Sequence, residues 1–348
     1  MASHRRPKPP SRTRVTVLTA TAAAAVALTS QAANAAPTPS KADVKEKVDK
    51  LYEDAEKATE KANGAKEAQE KLEKQVTALQ DKVARGQDEL NEMRDGLGLM
   101  ASNQYRTGGI DPALQLFLSS DPDSYLEKAS TLDQVSAKQA ASLQKIQDKQ
   151  RTLAQQRKEA QGKVKDLADT RKQLTKKKQE AQSKLAAAQK LLNTLTEKER
   201  ADLAKAEEER ASRGSGGSGS TTRTDLGNTP ASSSRAAAAF AAAQGKIGTP
   251  YVYGASGPSS FDCSGLTSWA YAQAGVSIPR TSESQANAGT RLSQSQLQKG
   301  DLVIFYGDLH HVGFYAGNGQ VLHAPKPGAS VRYESIGNMP FQFGVRIG

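Results

Sequence analysis

Residues 42–212 constrain this chain most. They are dominated by Ala, Lys, Glu, Gln and Leu, and contain proline only at Pro112 and Pro122. These are strong helix formers. Apolar or small residues recur at alternating spacings of four and three: Val44, Val48, Leu51, Ala55, Ala58, Ala62, Ala65, then Leu72, Val76, Leu79, Val83, Leu90, Met93, Leu97 and Met100. That spacing is the seam of a coiled coil, interrupted at Gln69 and Gly86. A second series keeps one position in every seven through Ile146, Leu153, Ala160, Leu167, Leu174, Ala181, Ala188 and Leu195. Its companion positions are mixed, with Val164, Leu185 and Leu192 but also Arg157, Arg171 and Lys178, so this seam is weaker.

Between the two seams, Thr107-Gly108-Gly109-Ile110-Asp111-Pro112 and Asp121-Pro122-Asp123 give the chain a place to reverse. The expectation is an antiparallel helical coiled-coil hairpin over residues 41–212, each arm on the order of 100 Å long at about 1.5 Å per residue. Leu114, Leu116, Phe117, Leu118 and Tyr125 near the turn either cap the hairpin core or form an exposed docking surface. The charge-rich outer faces are expected to be solvated. Alanine at many seam positions buries little area, so the hairpin is expected to be marginal alone.

Ahead of the hairpin, Arg5, Arg6, Lys8, Arg12 and Arg14 precede an uncharged run over residues 15–30 and then Ala33-Asn34-Ala35. A basic region, a short apolar run and a small-x-small site are the order of a secretory signal, so residues 1–35 are predicted to be removed after Ala35. The product is expected to be exported and associated with the cell wall. Without the five basic residues of the leader, 43 Lys and Arg face 37 Asp and Glu, a net charge of +6 in place of +11. That excess suits an anionic wall or membrane surface and gives little reason to expect a nucleic-acid partner.

After the hairpin, residues 213–234 are mostly Gly, Ser and Thr, including Gly214-Ser215-Gly216-Gly217-Ser218-Gly219-Ser220. They read as a flexible tether whose ends lie on the order of 25 Å apart. Residues 235–348 hold most of the aromatic side chains and suffice for one domain.

That last region also holds the only cysteine, Cys263, and three of the four histidines. One thiol forms no internal disulfide, which turns the reading toward reactivity. The pattern Leu266, Trp269, Ala270 up to Gly275 predicts a helix with Cys263 at its N-terminus, where the helix dipole and a neighbouring imidazolium would lower the thiol pKa. Downstream, 300–306, 310–315 and 320–324 read as strands, the last two joined at Gly317-Asn318-Gly319. His311 and His323 then lie on adjacent strands, placed as a base and its orienting partner, while His310 faces the other way. No short metal-ligand spacing is present, and neither a metal nor a cofactor is expected.

These segments resemble the NlpC/P60 family of cell-wall cysteine peptidases. The matching blocks are Gly248-Thr249-Pro250-Tyr251-Val252-Tyr253-Gly254, Phe261-Asp262-Cys263-Ser264-Gly265-Leu266, Gly300-Asp301-Leu302-Val303, His311-Val312-Gly313-Phe314-Tyr315 and His323-Ala324-Pro325. The resemblance implies a papain-like α+β fold, with Cys263 as nucleophile, His311 as base and then acid, and His323 orienting the imidazole. It implies Tyr251 in the oxyanion hole, and Asp262 and Ser264 lining the pocket for the stem peptide's free amine. The implied substrate is peptidoglycan, cut between D-glutamate and diaminopimelate. The hairpin and tether also look like those of division-associated members, in which a helical hairpin restrains the peptidase until a membrane-anchored cell-division complex engages it. Two other functions fit the residues: a Cys-His amidase or acyltransferase acting on another wall amide, and a non-catalytic coiled-coil adaptor that binds wall.

Overall fold

The computed structural model describes residues 40–106, 114, 122–213, 226 and 230–348. The leader, most of the Gly/Ser tether and the apolar turn segment apart from Leu114 lie outside the described residues, as does the predicted cleavage site.

Helix α1 spans Lys41–Arg106 and α2 spans Pro122–Leu192. Ser40 and Asp43 start α1 by a reciprocal cap: the Asp43 N–H donates to Ser40 Oγ at 3.2 Å, and the Ser40 N–H to Asp43 Oδ2 at 3.1 Å. The arms are antiparallel, since Lys184 pairs with Asp54 at 3.0 Å, Arg171 with Glu73 at 2.8 Å, and Lys149 with Glu89. Val44, Val48, Ala55, Ala58, Ala62, Val76 and Leu90 are buried on α1, and Ile146, Leu153, Leu167, Leu174, Ala181 and Ala188 on α2. The seven-residue series as far as Ala188 is thus the inner edge of α2, with Ala160 half-buried, and Leu195 is buried just beyond the helix end. Gly86, read as an interruption, is a contact point: a Cβ there would lie 2.7 Å from Leu153 Cδ2.

Three expectations are corrected. Met93 and Met100 are exposed, at 37% and 50%, so the seam loosens toward the turn. The second arm ends at Leu192, and a separate helix α3, Glu197–Arg213, follows. Thr196 and Glu199 start it as a capping box, the Thr196 N–H donating to Glu199 Oε2 at 2.8 Å and the Glu199 N–H to Thr196 Oγ1 at 3.3 Å. Third, the polar face of α1 is not solvated throughout, because Glu56, Thr59, Glu60 and Asn63 are buried. The C-terminal domain covers them.

That domain has the α+β form. Helices α4 (Ser234–Gln244) and α5 (Cys263–Gln273) pack together, with a single turn α6 (Ser282–Gln285) beyond them. The strands are β1 (Thr290–Leu292), β2 (Leu302–Phe305), β3 (His311–Gly317), β4 (Gln320–His323), β5 (Arg332–Ser335) and β6 (Phe341–Arg346). They form one antiparallel sheet in the order β1-β6-β2-β3-β4-β5. Phe240, Leu266, Tyr271, Leu302, Ile304, Phe314 and Leu322 fill the space between helices and sheet. α5 lies on β3, which sets the cysteine at the helix start beside the histidine at the strand start. Among the described residues, no helix is long and apolar enough to cross a membrane.

Candidate active site

Asp262 is the N-cap of α5 and accepts the Gly265 N–H at 2.7 Å. Its second oxygen accepts the Gly254 N–H at 2.9 Å and pairs with Arg280 at 2.7 Å. One carboxylate therefore ties the segment that carries Tyr251 to the start of α5. Cys263 follows, fully buried, with Sγ 3.8 Å from the His310 carbonyl.

His311 opens β3 and His323 closes β4, and these strands pair with Phe314 opposite Leu322. Between them, a Cβ on Gly313 would lie 2.9 Å from His323 Cβ and 2.5 Å from Val321 Cγ2, so only a bare α-carbon lets β4 come this close. The rings meet edge to face, and His311 Nε2 lies 2.8 Å from His323 Nδ1. His323 Nε2 is 3.4 Å from Glu334 Oε2 on β5, though not aligned for a hydrogen bond. His310 lies outside this array, bonded to Asp308 and stacked on Tyr306.

Helix α1 completes the site. His311 Nδ1 lies 2.6 Å from Glu56 Oε1, and donor atoms of Glu56, Cys263 and His311 all lie within 4.8 Å of one another. One turn on, Glu60 accepts from Ser264 Oγ at 2.6 Å, from the Ser282 N–H at 2.6 Å and from Ser282 Oγ at 2.8 Å. Asn63 Nδ2 donates to Asp262 Oδ2 at 3.2 Å. Outside this line, Lys326 pairs with Asp49 at 2.8 Å and Glu207 at 3.2 Å, Arg210 of α3 with Glu334 at 3.0 Å, and the Tyr253 hydroxyl donates to the Tyr52 carbonyl at 2.8 Å.

The electrostatics reverse the expected activation of the thiol. Burial, then the negative charges of Glu56, Glu60 and Asp262, push the Cys263 pKa well above its ordinary value. Burial would depress His311, but the charge and hydrogen bond of Glu56 lift it above normal. Burial would likewise raise Glu56, and the charge of His311 holds it below normal instead. The two form a buried ion pair. Burial drives His323 down to about 4, with the charge on His311 adding to the effect. A cationic His311 donates from both nitrogens, so the network assigns His323 as neutral, accepting at Nδ1. Burial, then Asp262, raises Glu60 to about 7. Tyr251 is buried beside this array with a hydroxyl that has no hydrogen-bond partner among the described residues, and burial, then Glu56 and Cys263, raise its pKa.

The structure thus gathers Cys263, His311, His323, Tyr251, Asp262 and Ser264 into one buried cluster. The sequence reading missed Glu56, Glu60 and Asn63, which lie at spacings of four and three on one face of α1. Their signal was a polar stripe running beside the stretch where the seam holds only Ala55, Ala58, Ala62 and Ala65. Small seam residues and an aligned acidic row point to a close approach by another surface.

Residues 248–344 match the NlpC/P60 family model, and the chain carries a domain of that family over this stretch. A probable endopeptidase of Corynebacterium glutamicum is 54% identical over 106 residues, which are 30% of this chain and 51% of that protein. The probable endopeptidase p60 of Listeria monocytogenes is 48% identical over 99 residues, 28% of this chain and 20% of that protein. The chain thus spans about half the length of the first relative and a fifth of the second. Among solved structures, the NlpC/p60 domain of the peptidoglycan hydrolase SagA is 42% identical, covering 32% of this chain and 98% of that one, with a TM-score of 0.31.

Proposed function

We propose that the chain is an exported cysteine endopeptidase that cuts the D-glutamyl-diaminopimelate bond of peptidoglycan stem peptides, and that α1 holds it inactive. The observation that carries the catalytic reading is Cys263 at the start of α5 beside His311, whose far nitrogen bonds His323. With α1 withdrawn, His311 Nδ1 is free to take the thiol proton. The thiolate attacks the amide carbon, and the Tyr251 hydroxyl and the Cys263 N–H hold the oxyanion. As the C–N bond breaks, the imidazolium returns the proton to the leaving amine, leaving a thioester. His311 then takes a proton from water, the resulting hydroxide opens the thioester, and the proton passes back to the sulfur. His323 keeps Nε2 of His311 occupied throughout, so that Nδ1 does the chemistry.

The restraining role rests on the Glu56 contact. Glu56 holds the nitrogen that the thiol would use, and its carboxylate stands within 4.8 Å of the buried sulfur. Glu60 fills a cradle of hydrogen-bond donors built from Ser264 and Ser282, which a carboxyl group of a stem peptide would otherwise meet. Release by a membrane-anchored division complex acting on the far end of the hairpin is part of the same proposal.

Digestion of purified wall tests the reading. Residues 235–348 alone should release more stem-peptide fragments than the full chain, Cys263→Ala should abolish release, and product masses should identify the bond. Tyr251→Phe in the freed domain should lower turnover by about 10² to 10³. A freed domain no more active than the full chain would remove the restraining role. An active Cys263→Ala variant would remove the cysteine mechanism.

A further inference from the structure

We propose that Glu56, Cys263 and His311 form a zinc site that exists only while α1 is docked, so that Zn²⁺ acts as a latch on the closed chain. Each of the three buried side chains offers one donor atom, and these atoms lie within 4.8 Å of one another. Thiolate, imidazole and carboxylate are donor types of four-coordinate zinc, at about 2.0 to 2.3 Å from the ion, which sets neighbouring donors roughly 3.3 to 3.7 Å apart. To reach that spacing the His311–Glu56 contact opens from 2.6 Å by about 0.7 Å, and any separation near the 4.8 Å limit closes by about 1 Å. On binding, the thiol proton and one imidazolium proton leave to solvent, and the carboxylate exchanges a hydrogen bond for the metal.

The surroundings favour such an ion. The bond between His311 and His323 fixes the ring in the way that outer-shell partners orient metal-bound imidazoles. Three protein donors leave a fourth position for water, and the buried Tyr251 hydroxyl, without a partner among the described residues, is available to bond that water.

The placement of the ligands gives the site its consequence. Two come from the C-terminal domain and the third from a helix more than 200 residues earlier in the chain, which is why no short ligand spacing appears in the sequence. Undocking leaves only the cysteine and the histidine. A ligand that prefers one conformer shifts the population toward it by its differential affinity, so zinc favours closure and covers the sulfur twice over. The inference rests on the docked position of α1 and not on which wall bond is cut.

The test uses the full chain, reduced and freed of metal. Titration with Co²⁺, followed by the thiolate-to-cobalt charge-transfer absorption, should show one ion per chain with a sulfur ligand, and competition against a chromophoric chelator should give the Zn²⁺ affinity. Cys263→Ser should remove the sulfur band. Glu56→Ala and the shape-preserving Glu56→Gln should each weaken Zn²⁺ binding at least tenfold, while Glu73→Gln on distal α1 should leave it unchanged. Absence of stoichiometric binding overturns the proposal, and so does wild-type affinity in Cys263→Ser, which places the ion elsewhere. Wild-type affinity in both Glu56 variants overturns it too, because the metal then sits on the Cys-His pair alone. None of these readouts involves peptidoglycan, so their failure leaves the hydrolase reading standing, and an inactive enzyme that binds Co²⁺ through sulfur would sink only that reading.

Discussion

The two ends of α1 bury different chemistry. Distal α1 meets α2 through Leu90, Ile146 and Leu153, and its cross-ties, such as Glu73–Arg171, are exposed ion pairs. Proximal α1 packs Val44 and Val48 with Ala188 of α2 and buries Glu56, Glu60 and Asn63 against the C-terminal domain. Removing charges from water is costly unless each is answered, and even a well-paired buried charge adds little net stability. The distal end is therefore built for cohesion. The proximal end is built for position, because its carboxylates fit only where His311 and the two serines of the cradle stand.

The largest expected effect tests the cohesive end. Leu153 is 2% exposed and meets Leu90 and Gly86, so Leu153→Ala should destabilise the hairpin by about 2 to 5 kcal/mol, seen in thermal unfolding followed by far-UV circular dichroism. Alkylation of Cys263 at ambient temperature should stay slow. Fast alkylation in that variant would mean that the two ends are not separable. Next in size is Glu56→Ala, which should speed alkylation of Cys263 in the metal-free full chain by roughly ten- to a hundredfold, the loss of a buried pair partner being offset because His311 can shed its proton. Glu73→Ala, at an exposed pair worth about 0 to 1 kcal/mol, should leave the alkylation rate alone.

The same contrast explains how much of the molecule was legible beforehand. The heptad series, the helix start at Cys263 and the strand pair carrying His311 and His323 follow from local periodicity and turn chemistry, and they stand where expected. The break at 193–196 was also written locally, as the Thr-x-x-Glu pair Thr196 and Glu199, but helix-rich composition masked it. Glu56 is different. On α1 it is one of many acidic residues, and its partner His311 lies 255 positions away, so the polar stripe marks a contact surface without naming the partner. For the same reason the thiol was expected to be activated: a helix start and an imidazole favour the thiolate, and burial, together with the tertiary approach of Glu56 and Glu60 and the neighbouring Asp262, reverses that sign.

The smallest effect, a pH dependence of docking, would sharpen the comparison most, because proximal α1 carries Glu60, a buried carboxyl whose pKa is raised to about 7. Glu60 faces Asp262, Arg280, Ser264 and Ser282, and its docked pKa of about 7 lies above its ordinary value of 4.5. A carboxylate raised on docking binds a proton more readily in the closed form, so closure is favoured at low pH and weakens as pH climbs from about 4.5 to about 7. His311 is also raised on docking, so its stabilising contribution is likewise lost as pH rises through its docked value. The two signs agree: rising pH opens the chain. Alkylation of Cys263 in the full chain, divided by that of the freed domain to remove thiol ionisation, should rise several-fold to about tenfold across this window, tenfold being about 1.4 kcal/mol. Glu60→Gln keeps a neutral acceptor in the cradle and should flatten that rise. A ratio that falls with pH, or one that Glu60→Gln leaves unchanged, would mean that the cradle does not sense protons and that proximal α1 is held by shape alone.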